Sequence, residues 1–138
     1  MRSPKTKIVD QDSLETARAI ARAAIDKKAS DVVILDVRES SGFTDSFVIM
    51  SGRSTRHTQG LAQAIDGAIS AKRLNPARTE GFEEGQWILL DFSDVVVHIF
   101  YEETRAFYDL EGLWHDAARI DIGPLDEGGT VSRKRGRS

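Results

Sequence analysis

The stretch QWILLDFSDVVVHIFY, residues 86–101, decides the fold of this chain. It contains two runs of β-branched, aliphatic and aromatic residues, 86–91 and 94–101, separated by a short break at Phe92 and Ser93. Runs of this composition predict strands, and a two-residue break between them predicts a tight turn. The stretch therefore predicts an antiparallel β-hairpin.

Alternate residues of a strand point to opposite faces of a sheet, so the hairpin has two faces. With Phe92 and Ser93 as the turn, Trp87 is predicted to pair with His98. One face is almost wholly aliphatic and is predicted to form the core under the helices: Ile88, Leu90, Val95, Val97, Ile99 and Tyr101. The other face mixes aromatic, acidic and aliphatic side chains: Trp87, Leu89, Asp91, Asp94, Val96, His98 and Phe100.

The composition of the second face is compatible with two interpretations. A Trp anchor beside polar residues is typical of a protein interface. The same residues could also form a second core layer in which Trp87 is half-buried. Three carboxylates that precede the hairpin, Glu80, Glu83 and Glu84, flank Trp87 and could complement a basic partner. The hairpin alone leaves both interpretations open.

The rest of the chain is predicted to add helices and further strands. Asp12 and Glu15 have the spacing of a capping box, and Ser54 can cap a second helix that must end before Pro76. The predicted segments are a helix over about 13–28, strands 32–37 and 46–51, a helix from 54, a short edge strand within 78–85, the hairpin, and a terminal helical region over 102–114. The order α-β-β-α-β-β-α predicts an α/β (α+β) fold, a mixed β-sheet packed with helices.

The terminal helical region contributes both apolar and polar side chains. Phe107, Leu110 and Leu113 are predicted to help close the core, and Arg105 and Tyr108 to cover it. The region follows the hairpin directly in the sequence.

Length and charge indicate one acidic domain. The 138 residues divide into a flexible N-terminus over 1–9, a domain over 10–122 and a disordered basic tail over 123–138. Because the head contributes +3 and the tail +4 to a net charge of −3, residues 8–132 carry −10. Such a body repels nucleic-acid phosphates and attracts basic proteins. We therefore expect a protein partner and little or no direct nucleic-acid binding.

The absence of Cys suits a reducing compartment, and no apolar run resembles a secretory signal or a membrane span. A cytoplasmic location without membrane contact is therefore expected.

An enzymatic alternative rests on two weak features. The turn Ser51-Gly52-Arg53-Ser54 precedes a helix and could hold an anion, and Asp91 with Asp94 could bind Mg²⁺. Together they would suit a nucleotidyltransferase-like enzyme. Dinucleotide and phosphate-loop glycine patterns are missing from the sequence, and His57, His98 and His115 lack zinc spacing. We therefore predict no catalytic residue, no metal ligand and no cofactor, with that enzyme as the alternative.

Several strings of the chain resemble the ribosomal silencing factor family, also called Iojap-like. They are DSFVI at 45–49, the Ser51-Gly52 turn with residues 54–59, EGFEEGQW at 80–87, LDFSDVVVH at 90–98 and FYDLEGLW at 107–114. The resemblance covers roughly residues 10–122. The family often has Tyr where Phe82 stands and Gly or Ala where Ser93 stands, and the Arg-rich tail lies outside its common core.

The resemblance implies a non-catalytic translational repressor. Members dock on a large-subunit ribosomal protein, of the uL14 type, at the subunit-joining face and block joining of the small and large subunits when nutrients fall. It also implies a homodimer in the free state and a nucleotidyltransferase-like fold without the catalytic set. Combined with the two faces of the hairpin, it predicts a partner-binding patch formed by Trp87, Leu89, Val96 and His98, with Arg105 and Tyr108 as neighbours.

Overall fold

The computed structural model describes residues 2–42, 44–71 and 77–123, with side chains described from residue 13 onward. The helices and strands, in chain order, are α1 Arg2–Asp26, β1 Ser30–Asp36, β2 Ser46–Gly52, α2 Thr55–Ser70, β3 Arg78–Glu80, β4 Trp87–Asp91, β5 Val95–Tyr101, α3 Glu102–Tyr108, α4 Leu110–Leu113 and β6 Ala118–Ile120. Of the predicted basic tail, all residues but Gly123 lie outside the described ranges.

The strands form one six-stranded sheet in the order β3-β4-β5-β2-β1-β6. Strands β2 and β5 are parallel, and the other neighbouring pairs are antiparallel. The predicted mixed sheet packed with helices is confirmed, including a short edge strand, β3. Strand β6 at the opposite edge was not predicted, because its three residues, Ala-Arg-Ile, have no strand pattern and form a strand only by pairing with β1.

The helix starts were predicted with different success. Ser54 caps α2 as predicted, since its Oγ accepts the backbone N–H of His57 at 3.0 Å. Helix α1 begins at Arg2, so the predicted start at residue 13 is wrong and the Asp12–Glu15 motif lies inside the helix. A capping motif marks a helix start only where the preceding backbone leaves the helical conformation, and here it does not.

Helices α1 and α2 cover one face of the sheet and form the main core with it. Residues of α1, α2 and the hairpin pack there with exposures of 4% or less, among them Ala17, Ile20, Ala24, Leu61, Ile65, Ile69, Ile88, Leu90, Val97 and Ile99. Five of the six residues predicted for this face therefore lie in the core as predicted: Ile88, Leu90, Val95, Val97 and Ile99. We call this side of the sheet the covered face. The prediction is wrong for Tyr101, which ends β5, is half-buried and lines a groove outside this core.

The register of the hairpin differs from the prediction. Trp87 pairs with Phe100, and Leu89 pairs with His98, so each cross-strand partner is displaced by two residues. The turn lies one position later, because the Phe92 N–H donates to the Val95 carbonyl at 2.9 Å and Ser93 adopts φ 80°. Since side chains alternate with a period of two, a shift of two residues leaves both faces unchanged.

The other face of the sheet, which we call the open face, carries a smaller core under α3 and α4. Its buried members are Leu35, Val37, Phe47, Ile49, Val96, Phe100 and Leu110, and half-buried Trp87, Leu89 and Trp114 pack against them. The second core layer with a half-buried Trp87 is therefore present.

Candidate functional site

The residues predicted to bind a partner lie at different depths on the open face. Tyr108 is 50% exposed, and Trp87 and Leu89 are half-buried. Val96 and His98 are buried. The structure thus brings Trp87, His98 and Tyr108 together, with only Tyr108 largely at the surface.

Trp87 lies at the centre of an aromatic cluster. The centroid of its ring system lies 4.9 Å from the Phe100 ring and 4.8 Å from the Tyr108 ring, both in tilted arrangements. Its indole N–H donates to Nδ1 of His98 at 3.1 Å. The indole therefore connects the buried side of the cluster to its surface side.

His98 is a buried histidine of the sheet interior. Its ring meets the Phe47 ring edge-on at a centroid distance of 4.7 Å. Burial disfavours the charged imidazolium and lowers the pKa of His98 to about 4. The ring is therefore neutral near pH 7, and its burial keeps it from direct contact with a partner.

Arg105 holds the α3–α4 segment against the sheet. One nitrogen, Nη1, donates to Ser51 Oγ at 2.9 Å and to the Asp31 carbonyl at 2.8 Å. Nε and Nη2 donate to the two carboxylate oxygens of Glu111 at 3.1 and 2.8 Å. These hydrogen bonds lower the pKa of Glu111, although its burial acts in the opposite direction. Arg105 is therefore engaged within the fold, its side chain only 11% exposed.

Two apolar side chains of this segment are exposed, against the prediction that they close the core. Phe107 is 80% and Leu113 73% exposed, while Leu110 is buried as predicted. Asp109 has φ 47° and ψ 54°, a left-handed conformation that ends α3 and starts α4 on a new axis. A single helical periodicity therefore does not extend from Phe107 to Leu113. The density of aromatic residues in FYDLEGLW was the signal that could have marked this surface.

A groove of about 550 Å³ lies beside Trp87. Its lining residues are Gly81, Glu84, Gln86, Trp87, Tyr101, Glu103, Thr104, Phe107 and Tyr108. Aromatic side chains form much of this lining and two carboxylates supply its charge, whereas no Lys or Arg occurs among the described residues that line it. The groove is therefore aromatic and acidic.

The loop that forms one wall of the groove is fastened to α2. Thr58 Oγ1 donates to the Gly85 carbonyl at 2.7 Å, and Gln59 Nε2 donates to the Phe82 carbonyl at 3.0 Å. Gly81 has φ 77°, and a Cβ there would collide with the Trp87 carbonyl oxygen. The loop is thus held by hydrogen bonds to α2 and by close packing of Gly81 against Trp87 of β4.

The two features that suggested an enzyme are the turn at Ser51-Gly52 and the carboxylates of Asp91 and Asp94. They lie near opposite ends of strand β2. Gly52 is paired with Tyr101 at one end of β2, whereas the Asp94 carbonyl accepts the N–H of Ser46 at the other end. The seven residues of β2 span about 20 Å. The carboxylates of Asp91 and Asp94 therefore cannot share a site with the Ser-Gly turn.

The anion-binding position at the start of α2 is also occupied by a side chain of the protein. The backbone N–H of Arg53 donates to Nδ1 of His57 at 3.0 Å, and Nε2 of that ring bonds to the Lys27 carbonyl at 2.9 Å. Among the side chains that the structure describes, in residues 13–42, 44–71 and 77–123, no group of three His, Cys, Asp or Glu is placed to hold a metal ion. None of the helices described there is long and apolar enough to cross a membrane.

The fold and the site define a class of α/β domain whose sheet has one face sealed by helices and one face with an aromatic, acid-rimmed groove. The family model described as "Ribosomal silencing factor during starvation" matches residues 10–137. The chain belongs to this ribosomal silencing factor family, whose name denotes a regulatory factor and not an enzyme.

Relatives agree in sequence and in fold. The ribosomal silencing factor RsfS of Bacillus subtilis is 38% identical over 74% of this chain and 86% of its own length. The chloroplastic protein Iojap of Zea mays is 34% identical over 85% of this chain and 50% of its own length. A crystal structure from Bacillus halodurans, 35% identical, matches with a TM-score of 0.67 over 80% of this chain and 98% of the other. One from Chromobacterium violaceum, 27% identical, has a TM-score of 0.71 over 84% and 93%.

Proposed function

We propose that this protein represses translation, chiefly under nutrient limitation, by binding a large-subunit ribosomal protein of the uL14 type at the subunit-joining face. Bound there, it blocks joining of the small and large subunits. Membership of the ribosomal silencing factor family supports the ribosome as the target. The observation that carries the docking surface is the exposure of Phe107, which lines the groove together with Trp87 and Tyr108. Leu113 of the following helix, α4, is also exposed.

The docking surface that we propose consists of Trp87, Phe107, Tyr108 and Leu113. Burying a Phe or Leu side chain that is mostly exposed contributes about 1.5–3 kcal/mol, and Trp and Tyr recur among the residues that dominate binding energies. This surface revises the partner-binding patch that was predicted from the sequence, which consisted of Trp87, Leu89, Val96 and His98 with Arg105 and Tyr108 as neighbours. Leu89 remains a contact at its margin, whereas Val96, His98 and Arg105 support the surface from below.

Charge favours a basic partner at this surface. Glu84 and Glu103 belong to the lining of the groove, and both residues are exposed. Charges at the rim of an interface raise the association rate and exclude partners of like charge. A basic ribosomal protein is therefore attracted, and the phosphates of ribosomal RNA are repelled.

The layered fold supports the proposal that docking blocks subunit joining. The docking surface lies on the open face, and α1 and α2 cover the opposite side of the sheet. A helix with its side chains is about 10 Å wide, so a bound domain adds a sheet and a helix layer above the partner. A second ribosomal subunit cannot approach that partner while the domain is bound.

We propose further that the free protein is a homodimer and acts in the cytoplasm. The sheet ends in two short edge strands, β3 and β6, and every residue of β3 is exposed. Unpaired strand edges invite pairing with another copy.

A pair of variants tests the docking surface. Phe107→Glu places a carboxylate on the surface, and Gln63→Glu places the same charge on an exposed site of α2. We expect Phe107→Glu to lower the affinity for purified large subunits at least about 30-fold and to abolish inhibition of subunit joining. The measurements are co-sedimentation and light scattering during subunit association. Undiminished inhibition by Phe107→Glu, with Gln63→Glu also active, would contradict the proposal.

A further inference from the structure

The indole N–H of Trp87 needs a hydrogen-bond acceptor because the ring is half-buried. An indole nitrogen donates one hydrogen bond and accepts none. A buried donor without an acceptor is costly, so the available acceptor influences which rotamer the side chain adopts. Here the acceptor is Nδ1 of His98, at 3.1 Å.

That acceptor is fixed on a central strand. His98 lies in β5, paired with Leu89 of β4 on one side and with Ile49 of β2 on the other. Its ring is 5% exposed and lies against Phe47 and Phe100 at centroid distances of 4.7 and 6.4 Å. The position of Nδ1 is thus set by the sheet and not by solvent.

The pairing register explains why this bond orients Trp87. Trp87 pairs with Phe100, which lies two residues beyond His98 on the same face of β5. The indole therefore reaches along the strand to bring its N–H to His98, while its ring stays within 4.8 Å of the Tyr108 ring. One hydrogen bond and two ring contacts together define its position beside the groove.

We propose that His98 is the positioning residue of the docking surface: by accepting the indole N–H at Nδ1, it holds Trp87 in the orientation that lines the groove. This inference rests on the proposed function only where ribosome binding is concerned. Orientation before binding lowers the conformational entropy lost when a partner docks.

The role requires one tautomer of a neutral ring. If Nδ1 accepts the indole N–H, the ring proton lies on Nε2, a buried nitrogen that has no hydrogen-bond partner among the described residues. A protonated ring would have donors at both nitrogens and could not accept the bond. Burial keeps the ring neutral near pH 7, since it lowers the pKa of His98 to about 4. The acceptor is therefore available at the pH at which ribosomes work.

Two nearly isosteric variants separate positioning from packing. His98→Asn keeps an oxygen acceptor near the place of Nδ1, and His98→Leu removes it while filling a similar volume. If His98 only filled space, Leu would be tolerated at least as well as Asn, because a buried amide is costlier than an aliphatic group. Positioning predicts the opposite order.

The first measurement uses the free protein and does not depend on ribosome binding. The chain has two Trp residues, so the indole N–H resonance of Trp114 serves as an internal reference for that of Trp87. In His98→Leu we expect hydrogen exchange of the Trp87 indole to be about tenfold faster than in the wild type. In His98→Asn we expect exchange within about threefold of the wild type.

The second measurement is the affinity for purified large subunits, with circular dichroism to verify folding. We expect His98→Leu to bind about tenfold more weakly and His98→Asn to regain most of that loss. Equal indole exchange in both variants and the wild type would overturn the inference. Equal affinity of His98→Leu and His98→Asn for large subunits would also overturn the inference, provided that Phe107→Glu binds poorly in the same assay. Absence of binding by the wild type would instead contradict the proposed function, and the exchange data would still decide the role of His98.

Discussion

The two faces of the hairpin come from one stretch of chain but differ in what covers them. On the covered face, Ile88 and Ile99 are fully buried beneath α1 and α2. On the open face, the paired residues Trp87 and Phe100 pack with the short α3–α4 segment, and Trp87 stays half-buried. Because side chains alternate, one set of hairpin residues is buried in the main core and the neighbouring set lies on the less covered side of the sheet.

The open face carries a buried layer and a groove on the same side of the sheet. His98 is as buried as many core residues, but its Nδ1 holds a side chain that lines the groove. The sequence suggested two exclusive interpretations, an interface or a second core layer. The structure shows the core layer, and we propose that the interface lies directly above it.

The largest expected effect is a loss of stability, and it should differ between two neighbouring leucines that lie on opposite faces. Leu90 is 1% exposed on the covered face, and Leu89 is half-buried on the open face. We expect Leu90→Ala to lower the free energy of unfolding by roughly 3–4 kcal/mol and Leu89→Ala by about 1 kcal/mol. Urea denaturation measures both. Equal losses would mean that the faces do not differ in their contribution to stability.

The next largest effect concerns pH and the buried histidine. The pKa of His98 is about 4 in the folded protein, below the ordinary value of 6.5 that applies when it is unfolded. Between these values the unfolded state binds a proton that the folded state does not. The free energy of unfolding should therefore fall as the pH drops from 6.5 toward 4, by at most about 3 kcal/mol, and be unaffected by His98 above that range.

His98→Asn supplies the control for this pH dependence. The variant lacks the titrating ring, so its stability should fall less over the same interval, as followed by thermal unfolding at a series of pH values. Asp36 and Glu111 also have lowered pKa values, because of hydrogen bonds from Arg38 and Arg105, and their contributions remain in the variant. Parallel pH profiles for the two proteins would argue against a buried neutral His98.

A smaller effect tests how firmly the α3–α4 segment is attached to the open face. Lys cannot reproduce the bidentate contact of Arg105 with Glu111, so Arg105→Lys should destabilise the protein by about 1–2 kcal/mol. Arg38 makes a similar two-point contact with Asp36, but its side chain is 40% exposed. Arg38→Lys should therefore cost less than about 0.5 kcal/mol. If chemical denaturation gave similar losses of unfolding free energy for Arg105→Lys and Arg38→Lys, the burial of Arg105 would not contribute to stability.

The smallest effect concerns the acidic rim. We expect Glu103→Gln to lower the association rate with large subunits about two- to threefold at low salt and to have little effect at high salt. Glu15→Gln removes the same charge at an exposed site of α1 and should change the rate less. Stopped-flow measurements at several ionic strengths distinguish the two. A salt-independent effect of Glu103→Gln would indicate a packing role instead.

Much of the fold follows from local patterns in the sequence. The alternation of residues in the hairpin predicts both faces, and the side chain of Ser54 predicts the start of α2. The hairpin register does not follow, because it depends on the left-handed Ser93 and on the Asp91 carboxylate that accepts its N–H at 2.8 Å. Strand β6 does not follow either, since pairing with a distant strand creates it.

The location of the candidate site could be predicted from the sequence, but the burial of its individual side chains could not. Trp87 and Tyr108 could be chosen from residue type and position, and the structure places their rings in contact. The exposure of Phe107 and Leu113 depends on one backbone conformation at Asp109, which residue type alone does not fix. Likewise, the internal hydrogen bonds of Arg105 reach residues far away in the sequence, which no local pattern identifies.

The displaced turn of the hairpin has a consequence for how the sequence can change over evolution. Because a displaced turn keeps Trp87 and Ile88 on their respective faces, the loop at Ser93 should tolerate the gain or loss of residues. A single inserted residue in either strand would reverse the alternation beyond it and exchange core and surface side chains. Insertions and deletions within β4 or β5 should therefore be even in number among functional descendants of the chain, whereas the loop can change its length freely.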